Sequence, residues 1–321
     1  MNATPALAID LGGTGIKSGV VDAAEILALR NISAQSEQGL CKALPRIEDA
    51  VEACLDEASV AAGDLCGLGL AFAGLVDHAA NRIIGSNGKY EDGADIDLAT
   101  WANERWGLQL VLDNDARMAA VGEWRYGAGH GFDDLVVVTL GTGIGTGVIL
   151  NGALLNSKRN RAGNLGGHLP LSFDSEVRCS CGNRACAEAL ASTWALQRDV
   201  ANGLTGGSLA ERDTADIGFR ALYEAVDAGD AEAIRAADQA VRVWATLAVA
   251  LTHAYDPDAV IFTGNIMKSA DRILPAIREY VNQHAWTPGF DVAIEQGEHP
   301  GTAALLGAAY LAATADERGK E

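Results

Sequence analysis

With 321 residues, 49% of them hydrophobic, the chain is long enough to bury two cores, and its strand-like and helix-like segments alternate. A formal net charge of −19 argues against nucleic acid, whose phosphates need a basic face. No basic leader with an apolar core opens the chain and no run approaches the roughly 18 apolar residues of a membrane span, so a cytoplasmic protein with reduced thiols is expected.

The first element is an apolar run from Ala6 to Asp10 that ends in an acid. Gly12-Gly13-Thr14-Gly15 follows, and Lys17 to Asp22 again reads as strand, which makes a hairpin around a glycine turn. Gly67 to Val76 contains Phe72-Ala73-Gly74, and Gly85-Ser86-Asn87-Gly88 follows a short strand as a turn, where asparagine supplies its own hydrogen bonds. Val111-Leu112 ends the next apolar run, Asp113-Asn114-Asp115 follows, and Ala116 to Trp124 reads as helix. Asp113 or Asp115 can cap that helix; a carboxylate there can also orient a hydroxyl and accept its proton during phosphoryl transfer.

The first pattern recurs at Leu135 to Leu140, Gly141-Thr142-Gly143-Ile144-Gly145-Thr146-Gly147 and Val148-Ile149-Leu150. Glycines let backbone N–H groups approach an anion and threonine hydroxyls add donors, so both loops suit a polyphosphate. Neither loop has G-x-G-x-x-G spacing followed by a helix, which excludes a dinucleotide fold, and the Walker A pattern is missing.

Cys179-Ser180-Cys181 and Cys186, with His168 upstream, form the tightest signal in the chain. Three thiols and an imidazole close a tetrahedral Zn²⁺ site with no open position, a structural clamp that holds a loop. Glu188 follows, either as an acid in the first turn of a helix or facing a substrate. Cys41, Cys54 and Cys66 are expected to pack as small apolar residues, and His78, His130, His253, His284 and His299 lack metal-like partners. Val260-Ile261-Phe262 reads as a buried strand, Thr263-Gly264-Asn265 as its turn, and a helix begins near Met267. Pro300-Gly301 precedes a last apolar helix, Ala303 to Ala313.

Asp10-Leu11-Gly12-Gly13-Thr14, Asn114-Asp115-Ala116, the Gly141 to Gly147 loop and the Cys179 to Glu188 cluster together resemble the ROK family of sugar kinases and sugar-responsive repressors. The resemblance implies an α/β protein of the actin-like ATPase fold, two ribonuclease-H-like domains with sugar and ATP meeting in the cleft between them. The expected domains are 1–118 plus 301–321, and 119–300, the last helix returning to the first domain. The resemblance also implies ATP-dependent phosphorylation of a hexose at a terminal hydroxyl. Asp115 is then the base, with Asn114 on the sugar. Asp10 holds Mg²⁺ through water. Gly12, Gly13, Thr14 and Lys17, with Gly141, Thr142 and Gly143, serve the phosphates, and Gly264 and Asn265 cradle the adenosine. His168 serves zinc and sugar together, while Gly74, Asn87 and Glu188 complete the sugar site.

One departure matters. The family's E-x-G-H glutamate is missing from Gly163-Asn164-Leu165-Gly166-Gly167-His168. Leu165 takes its place without a gap, and Asn164 takes it with one residue inserted. The preferred sugar is therefore expected not to be plain glucose, or glucose is expected to bind weakly. The repressor branch carries an N-terminal DNA-binding extension, for which a strand beginning at Ala6 leaves no room, so the kinase branch is expected. A sugar-sensing protein that kept the fold and the zinc is the alternative. A homodimer is compatible with the resemblance.

Overall fold

The computed structural model describes residues 4–86 and 88–315. Asn87, expected at the sugar, and residues 316–321 lie outside them.

The chain opens with β1 (Ala6–Leu11), β2 (Gly15–Asp22) and β3 (Glu25–Ser33), then α1 (Leu40–Ala58) and β4 (Leu68–Phe72). A small β5–β6 ribbon (Leu75–Asp77, Arg82–Gly85) leads to α2 (Leu98–Trp106), β7 (Leu110–Asn114) and α3 (Asp115–Tyr126). A second series begins with β8 (Leu135–Leu140), β9 (Ile144–Leu150) and β10 (Ala153–Leu154). Four helices follow, α4 (Ala187–Ala191), α5 (Thr193–Ala201), α6 (Phe219–Asp227) and α7 (Ala231–Tyr255). The chain then forms β11 (Ala259–Thr263), α8 (Ala270–His284), β12 (Ala293–Gln296) and α9 (Ala303–Ala313).

The two sheets have one topology, with strand orders β3-β2-β1-β4-β7 and β10-β9-β8-β11-β12. In each, an antiparallel meander is followed by two parallel strands added on the far side of its first strand. Parallel strands need crossovers, and the helices supply them. β1 is buried at every residue and β8 at all but Thr139, because helices cover both faces of each sheet.

Each sheet has its own core. Leu7, Ile9, Phe72 and Leu112 belong to the first, and Val136, Val138, Phe262 and Trp244 to the second. Between the sheets lie α3 and α9. Met118 and Val121 of α3 join Leu305 and Ala308 of α9 over the first sheet, while Ala120 joins Val137 and Ile261 of the second. The two helices cross backbone to backbone: a Cβ on Gly307 would lie 1.8 Å from the Met118 carbonyl oxygen, and one on Gly122 would lie 2.1 Å from that of Ala303. Among the described residues no helix is long and apolar enough to cross a membrane.

Two local expectations need correction. β9 begins at Ile144, so the second glycine loop closes at Gly143. Gly145 and Gly147 are strand residues, and they are small because α3 lies on them: added Cβ atoms would come within 2.5 Å of Ala116 Cβ and 2.4 Å of Ala120 Cβ. After β11 a short 3-10 turn, Asn265–Ser269, precedes α8, which starts at Ala270.

Candidate active site

β7 passes directly into α3, and the three acid-amide residues at this junction divide the work. Asn114 is the cap: its Oδ1 accepts from the N–H groups of Ala116 (3.1 Å) and Arg117 (3.2 Å). Its Nδ2 donates to the Gly74 carbonyl (3.0 Å) and to Asp115 Oδ1 (2.9 Å), which fixes the neighbouring carboxylate. Asp113 is buried and faces the other way, accepting from Arg117 Nε at 2.9 Å. Neither aspartate is the cap; asparagine's carbonyl reaches two helix N–H groups and leaves its amide for the acid.

Asp115 Oδ1 also accepts from the Ala116 N–H at 2.9 Å. Burial of its carboxyl group pushes the pKa up to about 6, and the Asp10 charge adds to the rise, while Lys89 and the Ala116 N–H oppose it. Asp10 sits at the end of β1, opposite Lys17 on β2, and the two form an ion pair of 2.9 Å. Lys17 is thus committed to Asp10. Tyr90 is buried beneath the first glycine loop, its hydroxyl donating to the Gly12 carbonyl (3.1 Å), and Ser36 Oγ donates to that of Gly13 (2.9 Å). Thr14 is exposed at the loop tip.

The second hairpin packs against the Cys/His region. Glu188 Oε2 accepts from the Ile144 N–H at 2.9 Å and lies where a side chain on Gly143 would project. Gly167 is pressed on the same hairpin, a Cβ there falling 1.9 Å from the Ile144 carbonyl oxygen. The Gly141 and Thr142 carbonyls accept from the N–H groups of Thr193 and Trp194 at the start of α5. Gly264, at φ 96°, turns under Leu140, whose carbonyl oxygen would lie 2.4 Å from a Cβ there. Asn265 beside it is exposed and faces Gly301.

His168, Cys179, Cys181 and Cys186 bring their donor atoms within 4.8 Å of one another. A tetrahedral zinc with bonds of about 2.3 Å to sulfur and 2.0–2.1 Å to nitrogen requires S···S separations of about 3.8 Å and S···N separations of about 3.5 Å. Cys181 and Cys186 stand 3.8 Å apart and Cys179 Sγ is 3.5 Å from His168 Nδ1, so the donor set fits. With Nδ1 toward the thiols, the other ring nitrogen of His168 is available to another partner. Of the remaining cysteines, only Cys54 is buried; Cys41 and Cys66 are exposed, contrary to the packing expected of them, and none is paired.

Three charged residues, two of them interior, escaped the sequence reading. Arg117 is 1% exposed and gives the carbonyl of Leu155 a 2.6 Å hydrogen bond, with Asn156 Oδ1 a further acceptor, so α3 holds the loop that leads to Asn164. Glu123 is wholly buried, accepting from Thr263 Oγ1 and from the N–H groups of Glu298 and His299. His299 also binds the Tyr126 carbonyl, so it belongs to this junction. Lys89 lies across Gly13, its Nζ 2.8 Å from the position of a Cβ there. The first pair straddles the junction, Asp113 on β7 and Arg117 on α3, so no helical spacing announced it; for Glu123 the available signal was an acid within a run of small and apolar residues.

Two topologically equivalent sheets, each opened by a glycine hairpin, define the class, the actin-like ATPase fold, and its relatives make it an ATP-dependent sugar kinase. The ROK family model matches residues 6–315, and the chain belongs to the ROK family. It is 30% identical to a glucokinase of Streptomyces coelicolor, over 97% of this chain and 98% of that one. Among solved structures it is similar to a ROK hexokinase from Thermus thermophilus, with 29% identity, a TM-score of 0.77 and coverage of 98% and 99% of the two chains. It is also similar to a ROK family glucokinase from Streptomyces griseus in complex with glucose and AMPPNP, with 29% identity, a TM-score of 0.76 and coverage of 96% and 98%.

Proposed function

We propose that this kinase transfers the γ-phosphoryl group of Mg-ATP to a terminal hydroxyl of a hexose or hexose derivative, with Asp115 as general base. The observation that carries the reading is the Asp115 carboxyl itself, held by Asn114 and Ala116 at the strand–helix junction with a pKa near 6. A base of that strength is ionised at neutral pH yet basic enough to take a hydroxyl proton as the O–P bond forms. Asn114 orients it, and the glycine hairpins at Gly12–Thr14 and Gly141–Gly143 offer backbone donors to the phosphates. Asp10 supplies the kind of anionic oxygen that Mg²⁺ prefers, and the metal would neutralise phosphate charge there. Gly264 and Asn265 are assigned to the adenosine. Zinc, where the Cys/His donors fit it, would act as a clamp, keeping Glu188 on the second hairpin and His168 toward the sugar. The proposed domains divide at 118/119 and 300/301.

Asn164 is the proposed replacement for the family glutamate. It is buried, its Oδ1 accepts no hydrogen bond among the described residues, and its Nδ2 has one long contact of 3.5 Å, to the Asn160 carbonyl. Leu165, the alternative, is 37% exposed. An unsatisfied buried acceptor costs about 1–3 kcal/mol, which a sugar hydroxyl would recover. A neutral amide is a weaker acceptor than a carboxylate, which supports a sugar other than plain glucose. ADP release with Mg-ATP across hexoses, deoxyhexoses and N-acetylhexosamines, with Asp115→Ala as control, tests the reading. Turnover that no sugar stimulates, or that survives the substitution, would overturn it. A glucose KM well below millimolar, with no better sugar in the panel, would remove the argument from Asn164.

A further inference from the structure

The first glycine hairpin is gripped from outside by the segment that follows β6. Tyr90, buried and at φ 50°, donates its hydroxyl to the Gly12 carbonyl, accepts Phe72 against its ring at 6.2 Å, and donates its N–H to the Ser36 carbonyl. The residue before it is Lys89. With Tyr90 fixed under Gly12, the Lys89 side chain is laid across Gly13, where a Cβ would meet its Cε at 2.5 Å and its Cδ and Nζ at 2.8 Å. Glycine at position 13 is what admits it. The ammonium is the cation whose charge reaches Asp115.

The other cations near this acid have partners. Lys17 is paired with Asp10, and Arg117 with Asp113. Lys89 forms no salt bridge among the described residues; it lies against a phosphate-type loop, and its charge reaches Asp115. A hydroxyl at Asp115 that attacks a phosphoryl group presented by the Gly12–Thr14 loop must bring that group under the ammonium. Lysine suits this role as a compact point charge with three donors.

We propose that Lys89 is a catalytic residue of the transfer, its ammonium hydrogen-bonding a non-bridging oxygen of the γ-phosphoryl group as it passes from ATP to the sugar. The inference rests on the kinase reading above. In the step, the sugar oxygen forms a bond to the γ-phosphorus while the β–γ bridging O–P bond breaks. The hydroxyl proton goes to Asp115 and the electron pair leaves with ADP; Lys89 stays protonated and stabilises the charge spread over the equatorial oxygens.

The test compares Lys89→Met and Lys89→Arg with the native chain in two measurements. In turnover, Lys89→Met should lower kcat about 10²- to 10³-fold, the range for one lost oxyanion donor, with the sugar KM within about threefold. Lys89→Arg, which keeps the charge, should recover at least about tenfold of that loss. In calorimetry with Mg²⁺, Lys89→Met should weaken AMPPNP by about tenfold or more and leave ADP, which lacks the γ-phosphate, within about twofold. Native kcat in Lys89→Met, or equal losses for AMPPNP and ADP in a variant that melts like the native chain, would overturn the proposal. A selective loss of AMPPNP affinity in a chain that no sugar stimulates would uphold the contact and reject the sugar reading. A native chain that binds neither nucleotide would reject both.

Discussion

Replacing Arg117 with methionine keeps an unbranched side chain of similar length on α3 but leaves Asp113 buried without its cation. Both residues are interior, at 1% and 5% exposure, and the guanidinium also serves the Leu155 carbonyl and Asn156 Oδ1. Breaking a buried pair from one side costs about 3–5 kcal/mol, because the remaining charge has neither water nor partner. That is a large part of the 5–15 kcal/mol that typically holds a fold. Taking out both charges is another matter: an apolar pair of similar volume is often neutral. The Asp113→Leu/Arg117→Met variant should therefore lose less than the sum of its two single variants by about 1–3 kcal/mol. Urea unfolding followed by tryptophan fluorescence measures all four corners of this cycle. A loss under about 1 kcal/mol in Arg117→Met, or strict additivity in the double variant, would refute the argument that the pair is one buried unit.

The pH dependence of turnover follows from Asp115. A base with its pKa near 6 is protonated below that value, so turnover should climb between about pH 5 and 7 and then level, and Asp115→Asn should lower kcat by about 10²- to 10⁴-fold. For stability the sign is opposite: a folded pKa above the unfolded one means stability is complete below about pH 4 and falls as pH rises through 6, so Asp115→Asn should raise Tm at pH 7.5 and leave it unchanged near pH 3.5. Elemental analysis should find about one zinc per chain for the fitted donor set, and Cys186→Ser should lose it with a lower Tm and lower turnover; metal-free native protein of full stability would contradict the clamp. Gly307→Ala should destabilise by about 1–3 kcal/mol in urea, since a Cβ 1.8 Å from the Met118 carbonyl oxygen outweighs the roughly 1 kcal/mol that alanine gains in a helix. Gly145→Ala should cut kcat by about 10²-fold by pushing Ala116, next to the base, out of place, and adding Ala116→Gly should restore most of it; no restoration would separate this glycine from the position of Asp115.

Much of this site was written locally. The hairpins at Gly12–Gly15 and Gly141–Gly143 follow from apolar runs interrupted by glycine, the acid at 115 from a strand that ends where a helix begins, and α9 from an apolar run after Pro300-Gly301. The thiol spacing needs no tertiary information. What was hidden depends on partners distant in sequence. Lys89 acquires its place from Gly13, Glu123 from Thr263 and Glu298, and Arg117 from Leu155. Gly145 and Gly147 resembled phosphate-loop glycines because composition does not distinguish a residue kept small for an anion from one kept small for a helix. Their spacing of two on a strand, facing Ala116 and Ala120 with a spacing of four on a helix, was the signal that could have separated the cases.

The two hairpins share a topology but differ in their charges, and the difference separates their proposed tasks. In the paired registers, Asp10 opposite Lys17 in the first hairpin corresponds to Thr139 opposite Gly145 in the second. The charged pair thus lies near Asp115, the proposed base. The neutral pair lies against α3, where a side chain at position 145 would displace Ala116. Charge comes to the second hairpin from elsewhere, through Glu188 on the Ile144 N–H, carried by the segment that the cysteines and His168 would clamp. The metal-type cluster and α3 therefore pack on the same hairpin, one through Gly167 and Glu188 and the other against Gly145 and Gly147. A loosened clamp should shift the second hairpin against the helix that bears Asp115, which is why the structure predicts loss of turnover, and not merely of stability, when the cysteines are changed.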